Sequence, residues 1–228
     1  MLISADYSKI ELRILAFLSG DRVLISAFKN ELDVHAMTAS EILGKNINDI
    51  KAADRRLGKT INFGIIYGMS EHGLSQALAI SKEDARSYIN SYFDHFPDVK
   101  KYLDGLVAFA RKNGYVATVL GRRRPVPELM STNQALQGLG ERIAMNSPLQ
   151  GSAADIIKVA TVRLHQAIAE EGLGAKIVLS VHDELVIETS EREVENTREM
   201  VKHEMENAYN LGGVRLKVDI STGSSWYI

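Results

Sequence analysis

The segment Ala175-Lys-Ile-Val-Leu-Ser-Val-His-Asp-Glu-Leu-Val-Ile-Glu-Thr189 is the most strand-like part of the chain. It contains two runs rich in β-branched and apolar residues, Ala175–Val181 and Glu184–Thr189, which are separated only by His182 and Asp183. Two residues are the usual length of a β-hairpin turn, although His-Asp is not a pair that turn propensity favours. We therefore predict a hairpin whose polar tip is retained for a reason other than turn formation.

A second strand-like run, residues 2–6, lies at the start of the chain and ends at Asp6. Ser8 is followed three positions later by Glu11, and this capping-box pattern predicts that a helix begins at Ser8. Residues 214–220 form a last β-rich run. Asp6 is therefore expected at a corner between a strand and a helix.

The rest of the chain has mainly helical periodicity, so we predict an α+β fold with an antiparallel sheet. Asp33, Ser70 and Ser81 are suitable N-cap residues for three of the helices. Pro148 is predicted to interrupt the helical pattern. The predicted helices cover residues 21–30, 33–43, 51–67, 70–79, 81–95, 97–114, 131–147, about 150–171 and 191–210, and a further strand is predicted over 115–120.

Composition excludes several classes of protein. The chain has 228 residues, of which 45% are hydrophobic and 25% charged, and this indicates one large or two small domains with a hydrophobic core. The absence of cysteine excludes disulfides, thiolate metal sites and a cysteine nucleophile. No stretch approaches the roughly 20 apolar residues of a membrane span, and no signal peptide is recognisable. We therefore predict a soluble cytoplasmic protein with no membrane partner.

Charge is unevenly distributed, although the formal net charge is only -2. Residues 51–124 contain 13 Lys and Arg against 7 Asp and Glu, whereas residues 183–206 contain 9 acidic and 3 basic residues. This asymmetry predicts a helical region that binds anions and a sheet that carries carboxylates, which is the polarity needed for metal-assisted chemistry on a polyphosphate. An unrelated helical protein with one basic face would explain the asymmetry equally well.

Two cations and two aromatic residues recur every four positions within residues 54–68, and they are Arg55, Lys59, Phe63 and Tyr67. Such positions drift by only about 40° per step around a helix and form one slowly winding stripe. The stripe has the order of parts of a nucleoside triphosphate, with phosphates at one end and a base at the other. A solvated basic turn followed by a buried aromatic seam is the alternative. Three glycines in this segment weaken that alternative, because each costs up to about 1 kcal/mol in a helix. The glycines imply that another group closely approaches the backbone.

Asp6 and Asp183 are both expected at strand ends, where their carboxylates can converge if the two strands are neighbours in one sheet. Hard divalent cations prefer oxygen ligands, and a two-metal site would use such a pair to activate a hydroxyl group and to stabilise a leaving pyrophosphate. A single aspartate in a turn is more often only a turn former. The three consecutive polar residues of the hairpin tip, His182 to Glu184, weaken that alternative.

Several segments resemble, in order and spacing, the motifs of the family A DNA polymerases. Residues 6–13, Asp-Tyr-Ser-Lys-Ile-Glu-Leu-Arg, resemble motif A; Arg55–Gly68 resembles motif B on the O helix; Val181–Leu185 resembles motif C. Residues 141–157 look like the segment that tracks the minor groove of DNA, and Asp33-Val-His35 looks like the histidine of the fingers. The resemblance covers nearly the whole chain.

The resemblance implies template-directed DNA synthesis, in which a nucleotide is transferred from a dNTP to a primer 3′-hydroxyl. Two Mg2+ ions would serve as cofactors, with Mn2+ as a substitute. Asp6, Asp183 and the backbone carbonyl of Tyr7 would ligate the ions, and Glu184 would be an accessory carboxylate. Lys9 departs from the glutamine that is common in motif A, and it adds a cation beside this corner without putting activity in doubt.

The resemblance also implies how nucleotide and DNA would be bound. Arg55, Lys59 and His35 would hold the triphosphate, and Lys59 would also protonate the leaving pyrophosphate. Phe63 and Tyr67 would form the floor under the incoming base pair. Glu11 would exclude ribonucleotides at the sugar 2′ position. The residues that would contact template and primer, mostly in the minor groove where readout tolerates any sequence, are Arg142, Asn146, Gln150 and His182.

By the same resemblance, residues 1–20 are palm, 21–130 fingers and 131–228 palm again. The chain begins at the motif A strand, so the thumb and the upstream palm strands are expected to be absent. The strands that end at Asp6 and flank Asp183 should then leave an unpaired sheet edge. A second polypeptide that carries thumb and early palm is an expected partner beside primer-template DNA and dNTPs. The alternative is a non-catalytic DNA- or nucleotide-binding fragment or subunit derived from this core.

Overall fold

The computed structural model describes residues 1–226. The helices are α1 (Ile10–Ser19), α2 (Arg22–Lys29), α3 (Val34–Leu43), α4 (Ala52–Ile66), α5 (Glu71–Leu78), α6 (Lys82–His95), α7 (Pro97–Asn113), α8 (Gln134–Glu170) and α9 (Val194–Glu206). The strands are β1 (Leu2–Tyr7), β2 (Tyr115–Ala117), β3 (Arg123–Pro125), β4 (Lys176–Val181), β5 (Glu184–Glu188) and β6 (Val218–Gly223). Two short 3-10 turns cover Ile47–Asp49 and Pro127–Met130. The predicted α+β class with an antiparallel sheet is confirmed.

The chain folds as two compact units. One comprises Met1–Ile14 and the residues from Gln150 onward, and the other comprises Leu15–Leu149. The predicted palm and fingers boundaries at residues 20 and 130 are functional assignments and remain predictions. In chain order, the first boundary lies within α1, between Ile14 and Leu15. The second lies within α8, between Leu149 and Gln150.

The first unit contains a four-stranded antiparallel sheet with the order β4-β5-β1-β6. The predicted hairpin is confirmed, since Val181 pairs with Glu184 and His182 adopts a left-handed φ of 55° in the two-residue turn.

Along β1, every second side chain is buried, and the buried ones are Ile3, Ala5 and Tyr7. Tyr7 donates a hydrogen bond from its hydroxyl to the Met205 carbonyl of α9, 2.7 Å away. Asp6 therefore lies on the opposite, open face of the sheet.

The expected unpaired edge is found at only one of its two predicted places. β1 pairs with β5 on one side and with β6 on the other, so the strand that ends at Asp6 is central. β4, one of the two strands that flank Asp183, is an outer strand of this sheet. Its Val178 and Leu179 are 42% and 41% exposed. The prediction was wrong for β1 because β6 occupies the position beside it.

Four local predictions differ from the structure. α1 begins at Ile10 rather than at Ser8, because Lys9 has a left-handed φ of 55° and cannot be the first helical residue. α8 continues through Pro148, where the buried neighbours Ala144 and Leu149 keep the helix packed on both sides of the missing N–H. The last strand begins at Val218, four residues late. The strand after α7 is only three residues long and pairs with β3, which the sequence analysis missed.

In the second unit, α3 and α4 pack closely around Gly58 of α4. A side-chain carbon on Gly58 would overlap the backbone carbonyl oxygen of His35 in α3. The predicted N-caps Asp33, Ser70 and Ser81 are all confirmed, each accepting a hydrogen bond from a backbone N–H of its own helix. The close approach predicted from the glycines is therefore real at Gly58, and the approaching group is a neighbouring helix.

The hairpin of β2 and β3 covers a small separate core in the same unit. Val116 of β2 packs with Ala110 of α7, Ala144 of α8, and Val126 and Leu129 from the turn that follows β3. No helix among residues 1–226 is long and apolar enough to cross a membrane.

We predict that Gly58→Ala destabilises the protein by about 1–3 kcal/mol or more, because the added carbon must displace the backbone of α3. Gly105→Ala is the matched control, since Gly105 lies inside α7 with nothing within 4 Å of the added carbon. That control should stabilise by about 0.5–1 kcal/mol through helix propensity alone. Urea unfolding of both variants measures the two changes. Equal effects at the two glycines would contradict the packing described for α3 and α4.

Candidate functional site

Three carboxylates form a row across the open face of the sheet in the first unit. Asp6 of β1 is paired directly opposite Glu184 of β5 on one side and Asp219 of β6 on the other. Directly opposed residues in antiparallel strands project from the same face of the sheet. We call Glu184, Asp6 and Asp219 the acidic row. Asp219 was missed by the sequence analysis, although it lies inside the last predicted strand, because its importance depends on the register of that strand against β1.

The hairpin tip brings a fourth carboxylate to the end of the acidic row. The N–H of Tyr7 donates to the backbone carbonyl of Asp183, with N and O 3.2 Å apart, so the end of β1 is bonded to the tip. Partial burial and then the charges of Asp183, Glu184 and Asp219 raise the pKa of Asp6 to about 6. The predicted convergence of Asp6 and Asp183 is therefore confirmed, and the fold holds these like charges close to one another.

Glu184 is fixed by two hydrogen bonds. Its Oε1 accepts one from the hydroxyl of Ser4, 2.6 Å away, and one from the indole Nε1 of Trp226, 2.9 Å away. Ser4 precedes Asp6 by two residues on the same face of β1, whereas Trp226 comes from the segment after β6. Glu184 is thus directed along the sheet, which accords with an accessory rather than a central position.

The corner after Asp6 is held by Arg13, a motif A residue that is 7% exposed. Its guanidinium donates to the backbone carbonyl of Ser8, 2.9 Å away, and to that of Arg215, 2.6 Å away. The N–H of Ser8 donates in turn to the carbonyl of Lys217. These bonds tie the start of α1, which carries Glu11 in its first turn, to the segment that leads into β6. The buried arginine therefore fixes the backbone on which Asp6 and Glu11 are mounted.

The chemistry of these side chains fits a divalent cation, since carboxylate oxygens are the ligands that Mg2+ prefers. Burial and then the charges of three neighbouring carboxylates raise the pKa of Asp6, so several acidic groups are concentrated around it. Within residues 1–226, no three histidine or acidic side chains are arranged as a group that could hold a metal ion. The site thus offers suitable oxygen ligands that are not drawn together into a closed cage.

The predicted stripe is present on α4 and in the residue that follows it. The ammonium group of Lys59 lies 5.9 Å from the centre of the Phe63 ring, and the rings of Phe63 and Tyr67 are 5.9 Å apart. His35 of α3 joins the stripe, its ring centre also 5.9 Å from that of Phe63. Lys59 is exposed, and Phe63 and Tyr67 are half-buried. The structure therefore brings together four of the residues predicted to contact a nucleotide.

Arg55, at the start of the stripe, is paired with a residue that the sequence analysis assigned only to capping. Its Nε donates to Asp33, whose other carboxylate oxygen accepts from the N–H groups of His35 and Ala36 at the start of α3. Burial opposes ionisation of Asp33, but the hydrogen bond and the charge of Arg55 outweigh it and lower the pKa of Asp33. Asp33 therefore holds Arg55 against α3.

Asn62 is a further residue that the sequence analysis missed, and it is fully buried between α3 and α4. Its amide nitrogen lies 2.9 Å from the Gly58 carbonyl, 2.9 Å from the hydroxyl of Thr38 and 3.2 Å from Nδ1 of His35. His35 itself is only 3% exposed. Asn62 thus holds this histidine in position between the two helices.

The four residues predicted to contact DNA lie on two elements. Arg142, Asn146 and Gln150 are spaced by four along α8, and His182 is at the exposed hairpin tip. The amide of Asn146 points to the Tyr67 carbonyl, 3.5 Å away, and its Oδ1 is buried without a hydrogen-bond partner among residues 1–226. A side chain on Gly68, which has a left-handed φ of 65°, would meet Met145 and Arg142. The end of the stripe therefore packs against the start of α8.

Comparisons with known proteins are consistent with these motifs. The model of DNA polymerase family A matches residues 1–228. DNA polymerase I of Caldicellulosiruptor bescii is 51% identical over the whole chain, which spans 27% of that relative, and DNA polymerase I of Lactococcus lactis subsp. cremoris is 44% identical, with 26% of its length spanned. A solved structure, the POL domain of Pol1 from M. smegmatis in complex with DNA primer-template and dNTP, matches 99% of the chain and 40% of its own length, with a TM-score of 0.95 and 47% identity.

We predict that Asp6→Asn raises the melting temperature in EDTA at pH 7.5. The raised pKa of Asp6 means that its ionisation costs the folded state free energy of unfolding. The parent has its full stability from this group below about pH 4, where the carboxyl is protonated, and loses it as the pH rises through about 6. The melting temperature of the variant should therefore exceed that of the parent by little at pH 4. The difference should grow between pH 4 and 6 and stay constant at higher pH. Thermal unfolding across this range measures the difference.

Asp49→Asn is the control for this comparison, because Asp49 is exposed in a 3-10 turn of the other unit. It should show no such rise between pH 4 and 6. Added Mg2+ should narrow the gap between Asp6→Asn and the parent, since the cation relieves the repulsion only when the carboxylate is present. A difference in melting temperature that does not change with pH would show that neither burial nor the neighbouring carboxylates oppose the ionisation of Asp6.

Proposed function

The chain belongs to DNA polymerase family A, and we propose that it carries the catalytic centre of a DNA-directed DNA polymerase. The reaction is transfer of a nucleotide from a dNTP to the 3′-hydroxyl of a primer on a template. The observation that carries the proposal is the junction of Asp6 and Asp183 at the ends of neighbouring strands, with the pKa of Asp6 raised by partial burial and then by the surrounding carboxylates. Such a concentration of negative charge is costly to the fold and suits the binding of cations.

Asp6, Asp183 and the backbone carbonyl of Tyr7 would hold two Mg2+ ions, with Glu184 as an accessory carboxylate. When bound, these ions supply positive charge to the attacking hydroxyl and to the departing pyrophosphate. The hydrogen bonds of Glu184 to Ser4 and Trp226 support its accessory role, because they engage one of its oxygens within the protein.

The stripe would bind the dNTP, with Lys59 and Arg55 at the triphosphate and Phe63 and Tyr67 beneath the base and sugar. In the reaction, the bond from the primer 3′-oxygen to the α-phosphorus forms as the bond from that phosphorus to the pyrophosphate oxygen breaks. The primer hydroxyl gives its proton to solvent water, and the ammonium of Lys59 gives one to the pyrophosphate and regains one from solvent. His35 would donate from its ring to a phosphate oxygen, and the contact with Asn62 would hold the ring in position.

The M. smegmatis domain was solved with DNA primer-template and dNTP, and we infer the same two partners for this chain. Arg142, Asn146, Gln150 and His182 would contact primer and template, and the buried, unsatisfied Oδ1 of Asn146 would gain a hydrogen bond on a small shift of the helix. Glu11 would stand against the sugar 2′ position.

Synthesis by this chain is proposed to depend on a further polypeptide segment. The chain spans about a quarter of the length of the curated relatives. The outer strand β4 carries the exposed side chains of Val178 and Leu179, and an exposed apolar strand at a sheet edge favours pairing with further chain. We infer that a segment with thumb and early palm, supplied within the same polypeptide or as a second one, raises activity and grip on DNA.

We predict that Asp6→Asn and Asp183→Asn each abolish primer extension while leaving DNA affinity within a few-fold of the parent. An amide cannot replace a carboxylate in holding Mg2+, whereas duplex contacts come from other residues. Primer extension is measured with the chain alone and with an added thumb and early palm fragment, and Asp49→Asn is the control. Extension by either variant at a near-parental rate, in a setting where the parent is active, would refute the assignment.

We predict that Lys59→Ala lowers kcat/KM for dNTP by about 100-fold, because it removes both a phosphate contact and a proton donor. Lys82→Ala is the matched control, since Lys82 is an exposed lysine at the start of α6 and lies off the stripe. Steady-state kinetics separate the two roles, with a raised KM reporting lost binding and a lowered kcat reporting lost proton transfer. Equal kinetics for the two variants would exclude Lys59 from the nucleotide site.

A further inference from the structure

Phe109, Tyr115 and Arg123 form a continuous stack outside the stripe, on α7 and the β2–β3 hairpin. The guanidinium carbon of Arg123 lies 4.5 Å from the centre of the Tyr115 ring. Phe109 meets Tyr115 edge to face, with ring centres 5.6 Å apart. The register of β2 and β3 makes Tyr115 and Arg123 diagonal neighbours on one face of the hairpin. Phe109 is 44% exposed at one end of the stack, and Arg123 is exposed at the other.

The exposed end of this stack borders a cavity of about 390 Å3. Phe109, Leu106 and Tyr102 form its apolar wall, and Lys101 and Asp98 stand at its polar side. Tyr102 is half-buried at this wall. Phe109 is thus shared by the cavity and by the stack that leads to Arg123. The Tyr115 ring therefore lies between Phe109, which belongs to the cavity wall, and the guanidinium group of Arg123.

The charge around this surface favours a polyanionic partner. Residues 105–127 contain five Lys and Arg and no Asp or Glu. Arg111 is paired with Glu141, whereas Arg123 stacks on the face of Tyr115. Stacking on an aromatic face leaves the N–H edge of a guanidinium available to a phosphate. An acidic peptide would also be attracted, but the aromatic cavity beside the cation matches a base joined to a phosphate more closely.

We propose that Phe109, Tyr115 and Arg123, with the adjoining cavity, bind single-stranded nucleic acid. One base packs against Phe109 in the cavity, and the neighbouring phosphate is held by Arg123. A paired duplex does not fit this arrangement, because its bases are stacked on one another and cannot enter a cavity. The surface shares no residue with the stripe, the acidic row or the four residues assigned to primer and template, and it needs no catalysis to operate.

The test is fluorescence anisotropy with labelled oligo(dT) of 4 and 12 nucleotides and with a blunt duplex, all in EDTA, at several salt concentrations. Phe109→Leu keeps an apolar side chain but removes the ring, and it should weaken oligo(dT) binding by about 10-fold. The same variant should leave duplex affinity unchanged. Arg123→Gln should reduce the slope of log affinity against log salt by about 0.7, which is the value for one phosphate contact on a single strand.

Two control variants remove comparable side chains elsewhere. Leu120→Ala removes an exposed apolar residue of the same hairpin, and Arg192→Gln removes an exposed arginine beside α9. Neither should change the binding of oligo(dT). Lys82→Ala and Asp49→Asn change exposed residues outside the proposed polymerase site and should also bind oligo(dT) as the parent does. Because the assay contains EDTA and no dNTP, a failure of the proposed polymerase function leaves its result unchanged.

A second measurement uses the parent protein and does not depend on how any variant folds. Oligo(dT) that carries one 5-iododeoxyuridine is photo-crosslinked, and the attached peptide is identified by mass spectrometry. Crosslinks to Phe109, Tyr102 or Tyr115 are the expected result. Crosslinks confined to other peptides, or an unchanged oligo(dT) affinity in a folded Phe109→Leu, would overturn the proposal, as would an equal loss for oligo(dT) and duplex.

Discussion

The pairing of β1 between β5 and β6 is the constraint on which the first unit depends, because it sets Asp6 directly between Glu184 and Asp219. Like charges on directly opposed positions of an antiparallel sheet repel one another. Here burial is the larger cause and this repulsion the second, and together they raise the pKa of Asp6 to about 6. The surrounding structure opposes this repulsion. The buried face of β1 packs through Ile3, Ala5 and Tyr7, and the Tyr7 hydroxyl is bonded to α9. A carboxylate row is tolerated on one face because the other face is part of the core.

The corner after Asp6 shows how such a site is fixed in place. Arg13 is buried and donates to the backbone carbonyls of Ser8 and Arg215. These two bonds hold the backbone of the corner, and the left-handed Lys9 is the residue that turns the chain from strand to helix there. The buried guanidinium therefore positions the segment that carries Asp6 and Glu11.

The parts of the site that depend on local pattern could be predicted from the sequence. The hairpin tip at His182 and Asp183, the N-cap at Asp33 and the four-residue spacing of the stripe were all predicted from neighbouring residues in the chain. Asp219 and Asn62 were missed because each acquires its importance from a residue far away in sequence, Asp6 in one case and His35 in the other. The helix through Pro148 was also missed, since tertiary packing of Ala144 and Leu149 outweighs the local preference to end a helix at proline.

Gly58 is a position where a local sequence feature and a tertiary contact coincide. The glycines of α4 predicted a close approach to the backbone, and the approaching group is the His35 carbonyl of α3. That approach places the His35 ring beside Phe63 and within reach of the Asn62 amide. The low helix propensity of glycine is therefore offset by the packing of one helix that carries cations and aromatic rings against another that carries a histidine. The stripe is a property of the helix pair, because α4 alone would supply its charges and rings but neither the histidine nor the carboxylate of Asp33 that orients Arg55.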